Sequence, residues 1–298
     1  MIISASRRTD IPAFYADWFI QRVRAGFLLN RNPFNPRQIS RISLMPADVD
    51  AIVFWTRNPA RLMPYLSELD ERGYRYYFQY TLTGYPRELE AKTLHPLKSL
   101  EVFQRLSDQI GREKVIWRYD PILLSNLLPY DEHLRLFGKL AASLNGCCER
   151  VVISFADIYA KTARNLKQTP SLIYSDIAKD VSLCQSLARE LAEIARANNM
   201  AISSCAESMD LTAFGITHGK CIDDVLLKQL FAIDVSSAKD RGQREACGCI
   251  KSVDIGAYNT CLHGCKYCYA TSNHVLATEN YKQHSPLSPF LLGEEERD

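Results

Sequence analysis

Ala51-Ile-Val-Phe-Trp-Thr-Arg-Asn-Pro-Ala-Arg-Leu-Met-Pro-Tyr-Leu-Ser-Glu-Leu-Asp-Glu-Arg-Gly73 is the stretch that sets the fold. Its first five residues are apolar and β-rich without strict alternation, which is how a strand covered on both faces reads. A polar tip follows, Thr56-Arg57-Asn58. Pro59 then stands where a first helical turn begins. Leu62, Leu66 and Leu69 keep one helical face apolar, and Gly73 closes the helix.

The same unit recurs on both sides of it. Apolar runs cover residues 2–5, 74–82, 115–119, 151–155 and 201–204. Pro12 and Pro96 open helices, Gly26, Gly111 and Gly146 end them, and Leu134, Phe137 and Leu140 repeat the apolar stripe. Strands alternating with helices predict parallel pairing with right-handed crossovers. Six units predict an α/β fold, a partial (β/α)6–7 TIM-like barrel, with residues 1–207 as its body. After Glu207 the rhythm changes. Residues 208–283 hold a helix over 222–235, a charged loop over 239–245, a seventh strand over 253–258 and most of the cysteines, and are expected to complete the barrel. Residues 284–298, with Pro286 and Pro289, are expected to form an extended tail, mobile at its end.

Lysine and arginine total 36 against 34 acidic residues, a net charge of +2. That balance gives no footprint for a nucleic-acid backbone. No apolar run is long enough for a signal peptide or a membrane span, so the expected location is the cytoplasm. Ten cysteines are many for that compartment, and seven of them fall after residue 200. A disulfide framework is unnecessary at this size in a reducing environment, so the clustering favours metal over crosslinks.

Parallel strands end on one side, and in barrels that side carries the site. The tips here are polar: Ser6-Arg7-Arg8-Thr9-Asp10, Thr56-Arg57-Asn58, Thr81 to Tyr85, Arg118-Tyr119-Asp120, Ser154 with Asp157, and Cys205-Ala206-Glu207. Arg7, Arg8, Arg57 and Arg118 suit the grip of a carboxylate or phosphate by paired hydrogen bonds. Asp10, Asp120 and Glu207 join them as candidate catalytic residues, and Tyr85 and Tyr119 could assist proton or radical transfer. The bland reading is a ring of ion pairs with Asp10, Asp120, Asp157 and Glu207, with Asp10 and Asn58 as helix caps.

Near the end stands Cys261-Leu-His-Gly-Cys265-Lys-Tyr-Cys268-Tyr-Ala, spaced C-x3-C-x2-C with Tyr267 before the third cysteine. Three thiolates this close can hold three corners of an iron–sulfur cube and leave one iron open. Zinc is the rival, with His263 as a further ligand. Cys205, Cys221, Cys247 and Cys249 could close a second cube or a zinc site. A full strand over 253–258 argues against that, because it would set Cys249 about 18 Å from Cys205. Cys147, Cys148 and Cys184 read as structural.

The whole chain resembles the DUF1848 proteins, a bacterial family. The likeness rests on Ser-Ala-Ser-Arg-Arg-Thr-Asp-Ile-Pro at residues 4–12, Trp-Thr-Arg-Asn-Pro at 55–59 and Trp-Arg-Tyr-Asp-Pro at 117–121. It also rests on the Cys-Gly-Cys, Asp-Ile-Gly-Ala-Tyr-Asn-Thr-Cys and Cys-Tyr-Ala segments between 247 and 270. That family implies a C-terminal cysteine cluster similar to the N-terminal one of radical S-adenosylmethionine (SAM) enzymes. The loop here follows the last strand instead of the first, as circular permutation of a radical SAM barrel would place it, and no Gly-Gly-Glu follows an early strand. The resemblance implies a [4Fe-4S] cluster on Cys261, Cys265 and Cys268, SAM on the open iron, and reduction by flavodoxin or ferredoxin. The resulting radical would act on an anionic small substrate held by the arginines. The alternatives are an iron–sulfur electron carrier without SAM and a zinc-stabilised barrel that binds an anionic metabolite.

Overall fold

The computed structural model describes residues 1–293; the end of the expected mobile tail lies outside them. Eight strands form one sheet: β1 (Ile2–Ala5), β4 (Ala51–Thr56), β5 (Tyr76–Thr81), β6 (Val115–Ile122), β7 (Arg150–Phe155), β8 (Ala201–Cys205), β9 (Thr217–Gly219) and β10 (Val253–Asp254). Their order is β10-β1-β4-β5-β6-β7-β8-β9, and every pair is parallel. Helices Ala16–Ala25, Pro96–Ile110, Tyr130–Leu144 and Val181–Ala197 supply the crossovers.

The side-chain period of two divides the central strands between two cores. One set, including Ile3, Phe54, Phe78, Trp117 and Ile153, packs against the helices. Phe54 stacks on Phe78 and Trp117 on Phe137, each with ring centroids 4.8 Å apart. Such pairs add about 0.5–1.5 kcal/mol each beyond their burial. The other set, Ile2, Val53, Tyr77, Ile116 and Val152, meets Leu226 and Leu227 of helix Asp224–Phe231 in a second core. Along this second face the strands turn polar toward their C-terminal ends, at Ser4, Gln79, Arg118 and Ser154. The apolar end is filled, and the polar end is left for a site.

The barrel expectation holds at the level of a large parallel α/β sheet. A closed barrel is not formed, because among the described residues no strand pairing joins β9 to β10. The two edges meet through their loops, where the Ile250 N–H donates to the Ile222 carbonyl at 3.1 Å. The seventh strand also differs from expectation. It is only two residues long, because Asp254 turns its carboxylate onto the β1 tip and the chain leaves the sheet.

Two features went unread in the sequence. β2 (Phe27–Asn32) and β3 (Asn35–Ser43) form an antiparallel hairpin apart from the main sheet. Asn30, Arg31, Asn32, Arg37 and Arg41 interrupt its apolar pattern. The other is β9, too short to leave a pattern. The tail, through residue 293, docks on this region. Phe290 is fully buried, Leu29 N–H bonds the Pro289 carbonyl at 2.9 Å, and Trp18 Nε1 bonds the Ser288 carbonyl at 3.0 Å. Among the described residues no helix is long and apolar enough to cross a membrane.

Candidate functional site

A cavity of about 700 Å³ opens at the C-terminal ends of the strands. Its wall takes residues from the β1, β4, β5, β6, β7 and β8 tips and from two loops, before and after β10. Six cationic side chains line it, Arg7, Arg8, Arg57, Arg118, Lys161 and Arg244, against three carboxylates, Asp10, Asp120 and Asp157.

Most of these cations are already paired. Arg118, 5% exposed, grips Asp120 through Nε at 2.9 Å and through Nη2, while Nη1 reaches Gln79 at 3.2 Å. Arg57 Nη1 lies 3.0 Å from Glu90, and Nη2 bonds the Tyr267 hydroxyl at 2.5 Å. Burial works against the Arg57 charge, but Glu90, with Tyr267, Cys265 and Asp120, holds it protonated. Arg8 meets Asp254 at 3.0 Å. Arg7 reaches Asp240 only at 3.8 Å, and its Nη2 is buried with no hydrogen-bond partner. Arg244 pairs with Asp157 at the rim.

Asp254 is the hub of the β1 tip. It accepts from Ser4 Oγ at 3.0 Å, Ser6 Oγ at 2.5 Å, the Arg7 amide at 2.9 Å and Arg8 Nε at 3.2 Å. Burial pushes its carboxyl up, yet Arg8 and these donors win and hold it below the usual carboxylate range. Gly256 makes the close approach possible, since a Cβ there would lie 2.1 Å from Ser6 Oγ.

The three-cysteine loop is buckled to the opposite side of this ring. Asp10 accepts from the Ala13 amide at 3.0 Å, and so caps a helix, and also from Thr56 Oγ1 at 2.7 Å and the Arg57 amide at 2.7 Å. His263 Nε2 lies 2.6 Å from the same carboxylate. Asn58 likewise caps its turn through the Ala60 amide at 3.2 Å. Tyr267 is buried and donates to Glu90, which Thr83 also bonds at 2.5 Å. Cys261, Cys265 and Cys268 all line the cavity, and the Ala270 amide donates to Cys268 Sγ at 3.3 Å. Burial pushes the Cys265 thiol up to about 12 and Cys261 well above its ordinary value. Neither is therefore a ready nucleophile; only a bound cation would deprotonate them outright.

The second cysteine set converges on the far wall. Cys205 Sγ stands 3.2 Å from Cys221 Sγ, to which Arg118 Nη1 donates at 2.8 Å. Cys249 accepts from the Ile222 amide at 3.4 Å and lies beside Cys221 and Cys247. The short β10 removes the separation that a full strand would have imposed. Among the described residues no three Cys, His, Asp or Glu side chains form a group that could hold a metal ion as they stand. A single zinc with bonds of about 2.3 Å needs its sulfurs about 3.8 Å apart around one point. A cube instead takes each thiolate at a separate corner, and the loop offers three thiols to one cavity.

Other expected residues lie elsewhere. Glu207 is buried behind the wall, where it accepts from the Phe155 amide at 2.8 Å; burial pushes its carboxyl up to about 7. Tyr85 and Tyr119 are buried among aromatic rings, Tyr85 bonded to the Pro121 carbonyl and Tyr119 to His133. Cys148 and Cys184 are buried in the helix-facing core, with Cys147 half-buried beside it. Sequence reasoning passed over Glu90, Asp254 and Gln79. Glu90 sits in an irregular segment with no spacing signal, and Asp254 lies inside a run that reads as strand.

No curated protein and no solved structure matches the chain. The family model for DUF1848, a domain of unknown function, matches residues 2–270, and the chain belongs to that family.

Proposed function

We propose that the protein is a radical SAM-like enzyme with a [4Fe-4S] cluster on Cys261, Cys265 and Cys268. It would act on an anionic small molecule, with reduced flavodoxin or ferredoxin as electron donor, in the cytoplasm. We read the curled sheet as a circularly permuted partial barrel. The observation that carries the proposal is that all three thiols line a roomy cavity at the strand ends. When bound, the cluster would supply the electron for reductive cleavage of SAM.

The chain's own residues do the positioning. Tyr267, clamped by Glu90 and Arg57, and His263, clamped by Asp10, fix the loop on both sides of Cys265. Arg7 and Lys161 keep the loosest anion contacts on the wall and suit an incoming carboxylate or phosphate. Tyr258, Tyr267 and Tyr269 add aromatic surface that limits water. A cavity of about 700 Å³ favours this reading over an electron carrier, which needs no room for a ligand.

The test is anaerobic. The chain is reconstituted with iron and sulfide, reduced and mixed with SAM. 5′-Deoxyadenosine is expected from the wild type and not from a C261A/C265A/C268A variant. No product, with an EPR signal that SAM leaves unchanged, would sink the proposal in favour of an electron carrier. Zinc without iron in the anaerobically purified chain would favour a zinc-stabilised scaffold.

A further inference from the structure

Four thiols meet at a place that the proposed chemistry does not use. Cys205 ends β8, Cys221 follows β9, and Cys247 and Cys249 lie in the loop leading to β10. Three separate segments therefore deliver four sulfurs to one corner of the cavity. The corner is the seam where the sheet's two edges approach without strand pairing.

Ordinary packing does not explain the arrangement. A structural cysteine is buried singly among apolar neighbours, as Cys184 is here. At the seam, sulfur lies against sulfur, 3.2 Å apart for Cys205 and Cys221, and polar donors are aimed at it. Arg118 Nη1 donates to Cys221 Sγ at 2.8 Å, and the Ile222 amide donates to Cys249 Sγ at 3.4 Å. N–H donors on sulfur are what metal-bound thiolates collect around them. A second guanidinium, Arg7, lies near enough to Cys249 for their charges to interact, and its buried Nη2 has no hydrogen-bond partner. Four thiolates around a doubly charged metal core carry two negative charges, and Arg118, shared with Asp120, and Arg7 place positive charge beside them.

We propose that Cys205, Cys221, Cys247 and Cys249 hold a second metal centre, closed by four thiolates, across the seam of the sheet. A zinc ion and a [4Fe-4S] cluster share this ligand chemistry. For a single ion the Cys205 and Cys221 sulfurs need to part by about 0.6 Å, from 3.2 Å to the tetrahedral spacing of about 3.8 Å. Four protein ligands leave no open position, so the centre staples β8 and β9 to the β10 edge and takes no substrate. The proposal is independent of whether the three-cysteine loop cleaves SAM.

The experiment compares the wild type with C261A/C265A/C268A and C247A/C249A variants, all purified anaerobically. Iron, zinc and acid-labile sulfide are measured per chain, and circular dichroism checks folding. The triple variant is expected to keep about four irons with four sulfides, or about one zinc. In the iron case the wild type holds about eight, and C247A/C249A halves it. Should C247A/C249A not fold, the metal kept by the triple variant decides alone. A triple variant with neither metal overturns the proposal, as does a folded C247A/C249A variant with wild-type metal content. So does a Cys205–Cys221 disulfide found by thiol counting in the freshly isolated wild type. A chain that makes no 5′-deoxyadenosine while its triple variant keeps metal refutes the SAM reading only.

Discussion

Replacing Glu90 with glutamine tests whether the sulfur-bearing loop is locked to the strand tips by a buried charge. Glu90 is 4% and Arg57 12% exposed at the side chain, with 3.0 Å between them. Two unit charges about 4 Å apart attract by about 4 kcal/mol at an effective dielectric of about 20. Breaking a buried pair by removing one partner costs about 3–5 kcal/mol, because the other charge is left unpaired. Glutamine keeps an acceptor for Tyr267 and Thr83, so the expected loss of about 3 kcal/mol isolates the charge. Urea denaturation at pH 7.5 measures it, and an R57M/E90Q double variant closes the cycle. The double variant should recover more than half of the loss. With the proposed cluster loaded, the loosened loop should also surrender its iron to a chelator faster than the wild type does. A single substitution costing less than about 1 kcal/mol, or singles that simply add, would mean that water screens the pair and the clamp does not hold the loop.

His133 predicts a pH dependence. Its Nε2–H donates to the Leu123 carbonyl, its Nδ1 accepts from Tyr119, and burial lowers it from 6.5 to about 4. The unfolded chain thus binds the proton first, so stability is full above pH 6.5 and falls by about 1.4 kcal/mol per pH unit down to pH 4. Between pH 7 and pH 5 the wild type should lose about 2 kcal/mol more than His133→Gln; equal losses would dismiss the buried neutral imidazole. Phe290→Ala should cost about 3 kcal/mol and raise protease cutting near the C-terminus, whereas an unchanged melting curve would mean the tail docks without energy. Asp254→Asn should cost about 3 kcal/mol by leaving Arg8 unpaired, and a cost below about 1 kcal/mol would show that Arg8 finds water instead.

The repeated unit was legible because its physics is local. An apolar run, a polar tip, a proline and a closing glycine each report on a few neighbouring residues, and β1 and β4 to β8 fall where those runs lie. The hairpin was not legible, because β2 and β3 pair with each other over Asn30, Arg31 and Arg41, which interrupt the period of two. β10 misled for a different reason. Val253 to Tyr258 has the composition of a strand, but Asp254 finds Ser6 and Arg8, more than 240 residues away, and those bonds pull the chain out of the sheet. At the site, the arginines could be named from the tips, but their commitments could not. Glu90 takes Arg57 and Asp254 takes Arg8, and neither carboxylate stands near its partner in sequence.

The place of the cysteine loop in the chain is a consequence of the pairing of β10 with β1. The two strands run parallel, Ile3 beside Val253 and Ser4 beside Asp254, so both leave the sheet at its C-terminal end. The loop after β1 and the loop after β10 therefore rise side by side. Thr9 Oγ1 bonds the Ala257 carbonyl at 3.0 Å and Thr260 Oγ1 at 2.6 Å, Tyr15 reaches the Thr260 carbonyl at 3.0 Å, and Asp10 takes His263. Each of these contacts spans about 250 residues and joins the two loops into one body. The first loop supplies the carboxylate, hydroxyls and arginines, and the second supplies the thiols. On the proposed permuted-barrel reading, placing the thiols on the second loop instead of the first shifts them by one strand spacing, about 4.8 Å, within a cavity that spans both. Sequence order can then change while the facing of sulfur and arginine is kept, because the sheet places the site and the chain only decides which strand comes first.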